Sequence, residues 1–155
     1  MKFQHVVQIN DPLKPLIDPL TREQVWRGLV MKAENPLLFV PTLDSFKLLA
    51  RDSHSIEREL HFGRLVVRDR ISFAPPGRMR QETEASGELP AATLVTSIEA
   101  PDEWQLFVRF DYASHPPNGA PPVNSLYQGF IEQAYVEADT DAIRTIRRLV
   151  VEGKL

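Results

Sequence analysis

The chain has 155 residues, 43% of them hydrophobic and 25% charged, enough for one globular domain with one sizeable core. Its net charge of −3 gives no broad attraction to nucleic acid or anionic lipid, and the absence of cysteine excludes disulfides, thiolate catalysis and sulfur-ligated metals. No apolar run approaches the roughly 20 residues of a membrane-spanning helix, and no apolar leader precedes the first alternating segment, so the expected compartment is the cytoplasm and no integral membrane association is expected.

Residues 3–10 alternate, with Phe3, His5, Val7 and Ile9 on one face, which predicts a half-buried strand. Prolines at 12, 15 and 19 mark a connection. Thr21-Arg22-Glu23-Gln24 then has the pattern of a capping box, with Leu20 and Val25 placed as its hydrophobic staple. The helix it opens carries Val25, Trp26, Leu29, Val30 and Ala33 and ends before Pro36. Residues 36–40 predict a short second helix, and residues 43–51 a strand.

The centre of the chain fixes its own register. Gly63-Arg64 suits a two-residue type II′ turn. Closing that turn sets Phe62 opposite Leu65, Leu60 opposite Val67 and Ile56 opposite Ile71 on one face. The other face then pairs Glu59 with Arg68 and Glu57 with Arg70. A slip of one residue would destroy both patterns. The turn at Ala74-Pro75-Pro76-Gly77-Arg78 extends the scheme. It pairs Phe73 with Met79, Ile71 with Gln81, Asp69 with Thr83 and Val67 with Ala85, and adds Glu82 and Glu84 to two outer charge ladders through Arg70 and Arg68. Residues 92–99 and 104–112 predict a third hairpin around Pro101-Asp102. Its inner face would carry Leu94, Thr96, Ile98, Trp104, Leu106, Val108, Phe110 and Tyr112. Four more prolines, at 116, 117, 121 and 122, precede a long helix from about 124 to 151. The inner stripe expected for that helix is Leu126, Tyr127, Phe130, Ile131, Ala134, Ala138, Ala142, Ile146 and Leu149.

The order is thus strand, helix or helices, six sequential antiparallel strands, long helix, in one domain over residues 1–155. The opening strand 3–10 followed by Thr21-Arg22-Glu23-Gln24-Val25-Trp26 resembles the Bet v 1-like, START-related helix-grip superfamily over essentially the whole chain. The stretch Tyr127-Gln128-Gly129-Phe130 and the arginines at 144, 147 and 148 are more similar to the acetylaranotin-cluster protein L-like branch. The resemblance implies an α+β fold in which a curved seven-stranded antiparallel sheet wraps a long C-terminal helix around a cavity. It implies no reaction and no catalytic residues.

The derived register sets Arg58 opposite Asp69 on the inner face, either as a structural ion pair or as an orienting pair for a ligand's carboxylate, carbonyl or phenol. His5 points the same way and offers a donor or an acid/base group. Gln81, Thr83, Thr96 and Tyr112 add inward polar groups, the sparse pattern that orients a ligand in an apolar concavity. Trp26, Trp104, Tyr127 and Phe130 are candidate cavity wall, and Ala134 with Ala138 and Ala142 forms a small-residue stripe that either packs on the sheet or leaves room above it.

His54, His61 and His115 lack metal-ligand spacing, and no phosphate-binding or nucleophile-elbow motif is present, so neither metal nor cofactor is expected. The arginines at 64, 68, 70, 78 and 80 are partly neutralised by the glutamate ladders, so no nucleic acid is expected as a partner. The sequence leads first to a carrier or sensor of a hydrophobic small molecule such as a lipid, polyketide or aromatic metabolite. An enzyme of the cyclase, aromatase or dehydratase kind, with His5 or Asp69 as acid or base, is the alternative. A co-chaperone-like interaction module with a filled core is the third reading.

Overall fold

A computed structural model describes residues 1–155. The elements in chain order are β1 (Lys2–Asn10), α1 (Arg22–Glu34), a single 3₁₀ turn (Pro36–Leu38), β2 (Ser45–Arg51), β3 (Ser55–Phe62), β4 (Leu65–Ala74), β5 (Arg78–Thr83), β6 (Ala91–Asp102), β7 (Gln105–His115) and α2 (Ser125–Val151). All seven strands form one antiparallel sheet in the order β1-β7-β6-β5-β4-β3-β2. Strands β2 to β7 meander, and β1 closes onto β7. The sheet is curved and α2 lies against its apolar face, which is the α+β helix-grip arrangement.

The register follows the side-chain chemistry. Gly63 has φ +59° and no non-glycine residue has positive φ, as a type II′ turn at Gly63-Arg64 requires. Ile56 pairs with Ile71, Leu60 with Val67, Glu57 with Arg70 and Glu59 with Arg68. Phe73 pairs with Met79, Ile71 with Gln81 and Asp69 with Thr83. The pairing of Val67 with Ala85 does not form, because β5 ends at Thr83. The outer ladders are also shorter than expected. Arg68 reaches Glu59 at 3.0 Å and Arg70 reaches Glu57 at 3.8 Å, but Glu82 turns to Arg80 at 2.8 Å, two residues away on its own strand. Glu84, past the end of β5, binds Arg68 only through its backbone N–H.

Two helices cover the apolar face. The Thr21 hydroxyl accepts from the Gln24 N–H while the Gln24 side chain accepts from the Thr21 N–H, so the expected capping box is formed. Val25, Leu29 and Ala33 of α1 join Ala142, Ile143, Ile146 and Leu149 of α2 in one core with Ile56, Ile71, Ile98, Val108 and Phe110 of the sheet. The helices meet at Gly28, where an added Cβ would lie 2.6 Å from the Ile146 side chain. Arg147 fastens the end of α2 to β1 by donating to the carbonyls of Ile9 and Asp18.

The stripe expected on α2 holds only in its second half. Leu126, Tyr127 and Phe130 are 61–70% exposed, and Ala134 and Ala138 are also exposed by area. The buried face runs through Asp139, Ala142, Ile143, Ile146 and Leu149 instead. Trp104 is likewise exposed, because β6 runs on to Asp102 and makes Glu103-Trp104 the turn itself. The Asp102 carboxylate accepts from the N–H groups of Trp104 and Gln105, which fixes that turn.

Candidate functional site

An internal cavity of about 250 Å³ lies between the sheet, α1 and α2. Apolar residues dominate its wall, among them Leu29, Val40, Leu60, Met79, Leu94 and Phe110. Strand alternation puts Leu60, Met79, Leu94 and Phe110 there and helical spacing puts Leu29 there, while Val40 comes from the segment after the 3₁₀ turn. Its polar groups are Lys32, Arg58, Gln81, Thr96, Tyr112 and Asp139. A second space of about 750 Å³ forms a groove between α2 and residues 37–42. Lys32, Val40 and Ala138 border both spaces, so the cavity and the groove adjoin.

Two polar clusters stand at this cavity. In the first, Arg58 Nε and Nη2 donate to the two Asp69 carboxylate oxygens at 2.9 and 2.6 Å, and Nη1 donates to the Ala33 carbonyl at 2.9 Å. Both side chains are at most 5% exposed. This fork geometry uses both Asp69 oxygens and all three guanidinium nitrogens. The pair therefore serves to join β3, β4 and the end of α1, and leaves little capacity for a ligand.

The second cluster centres on Asp139, which is 2% exposed. His5 Nε2 lies 2.7 Å and the Tyr112 hydroxyl 2.6 Å from Asp139 Oδ2. The Tyr112 ring stacks on Tyr135 with centroids 4.0 Å apart, and His5 stacks on Phe110 at 5.0 Å. The aromatic rings hold the carboxylate's two partners in place. Burial, followed by the Asp139 charge and hydrogen bond, pushes the Tyr112 phenol far above its ordinary range, so it stays protonated and donates. Tyr135 is also raised, by burial first and then by the Asp139 charge.

Lys32, on α1, forms no hydrogen bond or ion pair with the protein, and no sealed polar side-chain atom lacks a partner, so its ammonium retains access to the open space. Burial lowers its pKa from the ordinary 10.5, with the Asp139 charge opposing and the Arg58 charge adding to that shift.

The structure brings together some of the residues singled out in the sequence. Arg58, Gln81, Thr96 and Tyr112 line the cavity, and His5 stands behind it on Asp139. Thr83 and Asp69 face inward but lie off its wall. Trp26 packs edge-on against Phe73 and lines a different groove with Val30, Met31 and Leu155. Ala134 lines the outer groove, while Trp104, Tyr127 and Phe130 lie outside both spaces. Lys32 and Asp139 were not singled out. Each lies at helical spacing from its buried neighbours, Lys32 three residues after Leu29 and Asp139 three and four residues before Ala142 and Ile143, and that spacing is the signal that marks them.

Solved structures share this architecture at low sequence identity. An aromatase/cyclase, Zhui from Streptomyces sp. R1128, superposes with a TM-score of 0.67 at 15% identity, over 97% of this chain and 95% of that one. Ara h 8.0201 gives 0.66 at 10% identity over 98% of both chains. A conserved protein from Geobacillus kaustophilus gives 0.66 at 11% identity, over 96% and 97%. No curated protein matches the sequence. These likenesses show the Bet v 1-like helix-grip fold. No helix is long and apolar enough to cross a membrane. A family model matches residues 7–153, and the chain belongs to that family, AtaL, described as acetylaranotin biosynthesis cluster protein L.

Proposed function

We propose that the protein binds and carries a hydrophobic small molecule between sheet and α2, with its polar end at Lys32 and Asp139. The observation that carries this reading is the unpartnered Lys32 at the junction of cavity and groove. A space of about 250 Å³ is just under the roughly 300–1,000 Å³ of drug-sized ligand sites. The ligand therefore fills the interior with a compact apolar body, such as an aromatic or polyketide-derived ring, and extends through the groove. Apolar burial would supply affinity at about 25 cal/mol per Å². An acceptor on the ligand would meet the ammonium, and the Tyr112–Asp139–His5 cluster would fix its orientation. The internal space works against a filled-core interaction module.

Acid–base chemistry on a carbonyl ligand is the second reading, favoured by the held carboxylate facing a cation. It fits the cyclase or dehydratase alternative, with Asp139 and His5 in the proton-handling roles and Asp69 occupied by Arg58.

Native mass spectrometry of protein purified without denaturation is the test, together with titration of an apolar fluorophore. A co-purified or added ligand that is lost on Ala138→Trp, which fills the shared mouth, supports carriage. A ligand-free mass with no binding of any lipid or aromatic in a screen would refute it.

A further inference from the structure

We propose that Lys32 captures carbonyl compounds covalently, its Nζ forming a reversible imine with an apolar aldehyde or ketone held in the cavity. This rests on the cavity-binding reading above and names the ligand class.

Three observations meet at this residue. Lys32 borders the cavity and the groove at once, so a ligand entering from the groove passes it. It has no protein acceptor, unlike Arg58 in the same wall, whose three nitrogens are all engaged. The charges acting on it are Asp139 from α2 and Arg58 from β3, while Glu137, Asp141 and Arg148 of α2 line the groove beyond. Burial and Arg58 favour the neutral amine, which is the nucleophilic form.

The step balances without any outside reagent. The amine lone pair forms the C–N bond as the carbonyl π pair moves to oxygen. Both amine hydrogens end on that oxygen, which leaves as water, and the C=N bond remains. Asp139 lines the same cavity, its carboxylate held by His5 and Tyr112, and would pass these protons.

The test uses 3-phenylpropanal with borohydride, which fixes an imine as a stable secondary amine, followed by peptide mapping of the full chain near neutral pH. The other lysines, Lys2, Lys14, Lys47 and Lys154, serve as internal controls. The expected result is labelling of Lys32 over each of them by on the order of tenfold, with protection by 3-phenylpropanol, which has the same shape and no carbonyl. Labelling spread evenly over the five lysines would overturn the proposal. Lys32→Arg and Lys32→Met, checked for folding by circular dichroism, should both lose the adduct. Fluorophore displacement by 3-phenylpropanol reads the cavity by itself. Displacement without Lys32 labelling rejects the imine alone, and no binding of either compound rejects the cavity reading with it.

Discussion

Arg58→Leu should destabilise the protein far more than Arg58→Leu combined with Asp69→Leu. In the wild type the two side chains exchange two hydrogen bonds at 2.9 and 2.6 Å while almost fully buried. Removing only the guanidinium leaves a carboxylate with both oxygens stripped of partners in a low-dielectric site, which typically costs about 3–5 kcal/mol. Removing both charges leaves a buried apolar contact between β3 and β4 and only the Ala33 carbonyl without its donor, a loss of about 1–3 kcal/mol. The double variant should therefore be more stable than Arg58→Leu alone by about 2 kcal/mol. Urea unfolding measures it directly. With a slope near 2 kcal/mol/M, a loss of about 4 kcal/mol moves the midpoint by roughly 2 M for the single variant. The double variant should recover about half or more of that shift. If the double variant loses the sum of the two single losses within about 0.5 kcal/mol, the residues do not act as one buried pair, and the inner-face register of β3 and β4 is wrong.

Other variants probe other parts of the molecule. Gly28→Ala places a methyl against Ile146 and should cost about 1–3 kcal/mol by overpacking, read as a lower thermal midpoint. Phe130→Ser should change stability by less than about 0.5 kcal/mol, since the ring is 65% exposed; a larger loss would mean that the first turns of α2 pack on the sheet. Lys32 and Tyr112 shape the alkaline limb in opposite senses. The folded pKa of Lys32 lies below 10.5, so the unfolded chain binds more protons between the two values and this residue makes stability rise with pH there. Lys32→Met should thus be more stable than wild type near neutral pH and lack that rise. The folded Tyr112 phenol stays protonated above 10.0 while the unfolded one ionises, so its contribution falls as pH climbs past 10.0. Tyr112→Phe should flatten that fall in thermal melts across the alkaline range. A wild-type slope retained in either variant would reject the corresponding assignment.

The sheet was legible because its information is local. One glycine at Gly63 sets a turn, the turn sets a register, and the register can be checked against ten side chains on two faces. The capping box at Thr21 is equally local, with both partners within four residues. The end of β6 was less so. Pro101 suggests a turn, but the turn is made two residues later by the Asp102 carboxylate, and this moved Trp104 from the inner face to solvent. The ladder rung at Glu82 failed for a related reason. Backbone register places two charges opposite one another, but a long side chain takes whichever partner is better placed, here Arg80 for Glu82.

The site was less legible, because its central residues break the pattern by which helices are read. A stripe drawn through apolar residues favours Leu126, Tyr127, Phe130 and Ala134 over Asp139, since burying a carboxylate is unfavourable unless something holds it. What holds Asp139 are His5, 134 residues earlier, and Tyr112, 27 residues earlier. The inward direction of those two could be read from strand alternation, but the carboxylate they converge on could not. Lys32 was hidden in the same way between Leu29 and Ala33. An acid and a base each lie on the buried stripe of a different helix, above the same part of one sheet. Had the fold needed only packing, a leucine at either position would have served with less desolvation. The base is left without a partner while the acid has two, and the proposed ligand contact at Lys32 rests on this asymmetry.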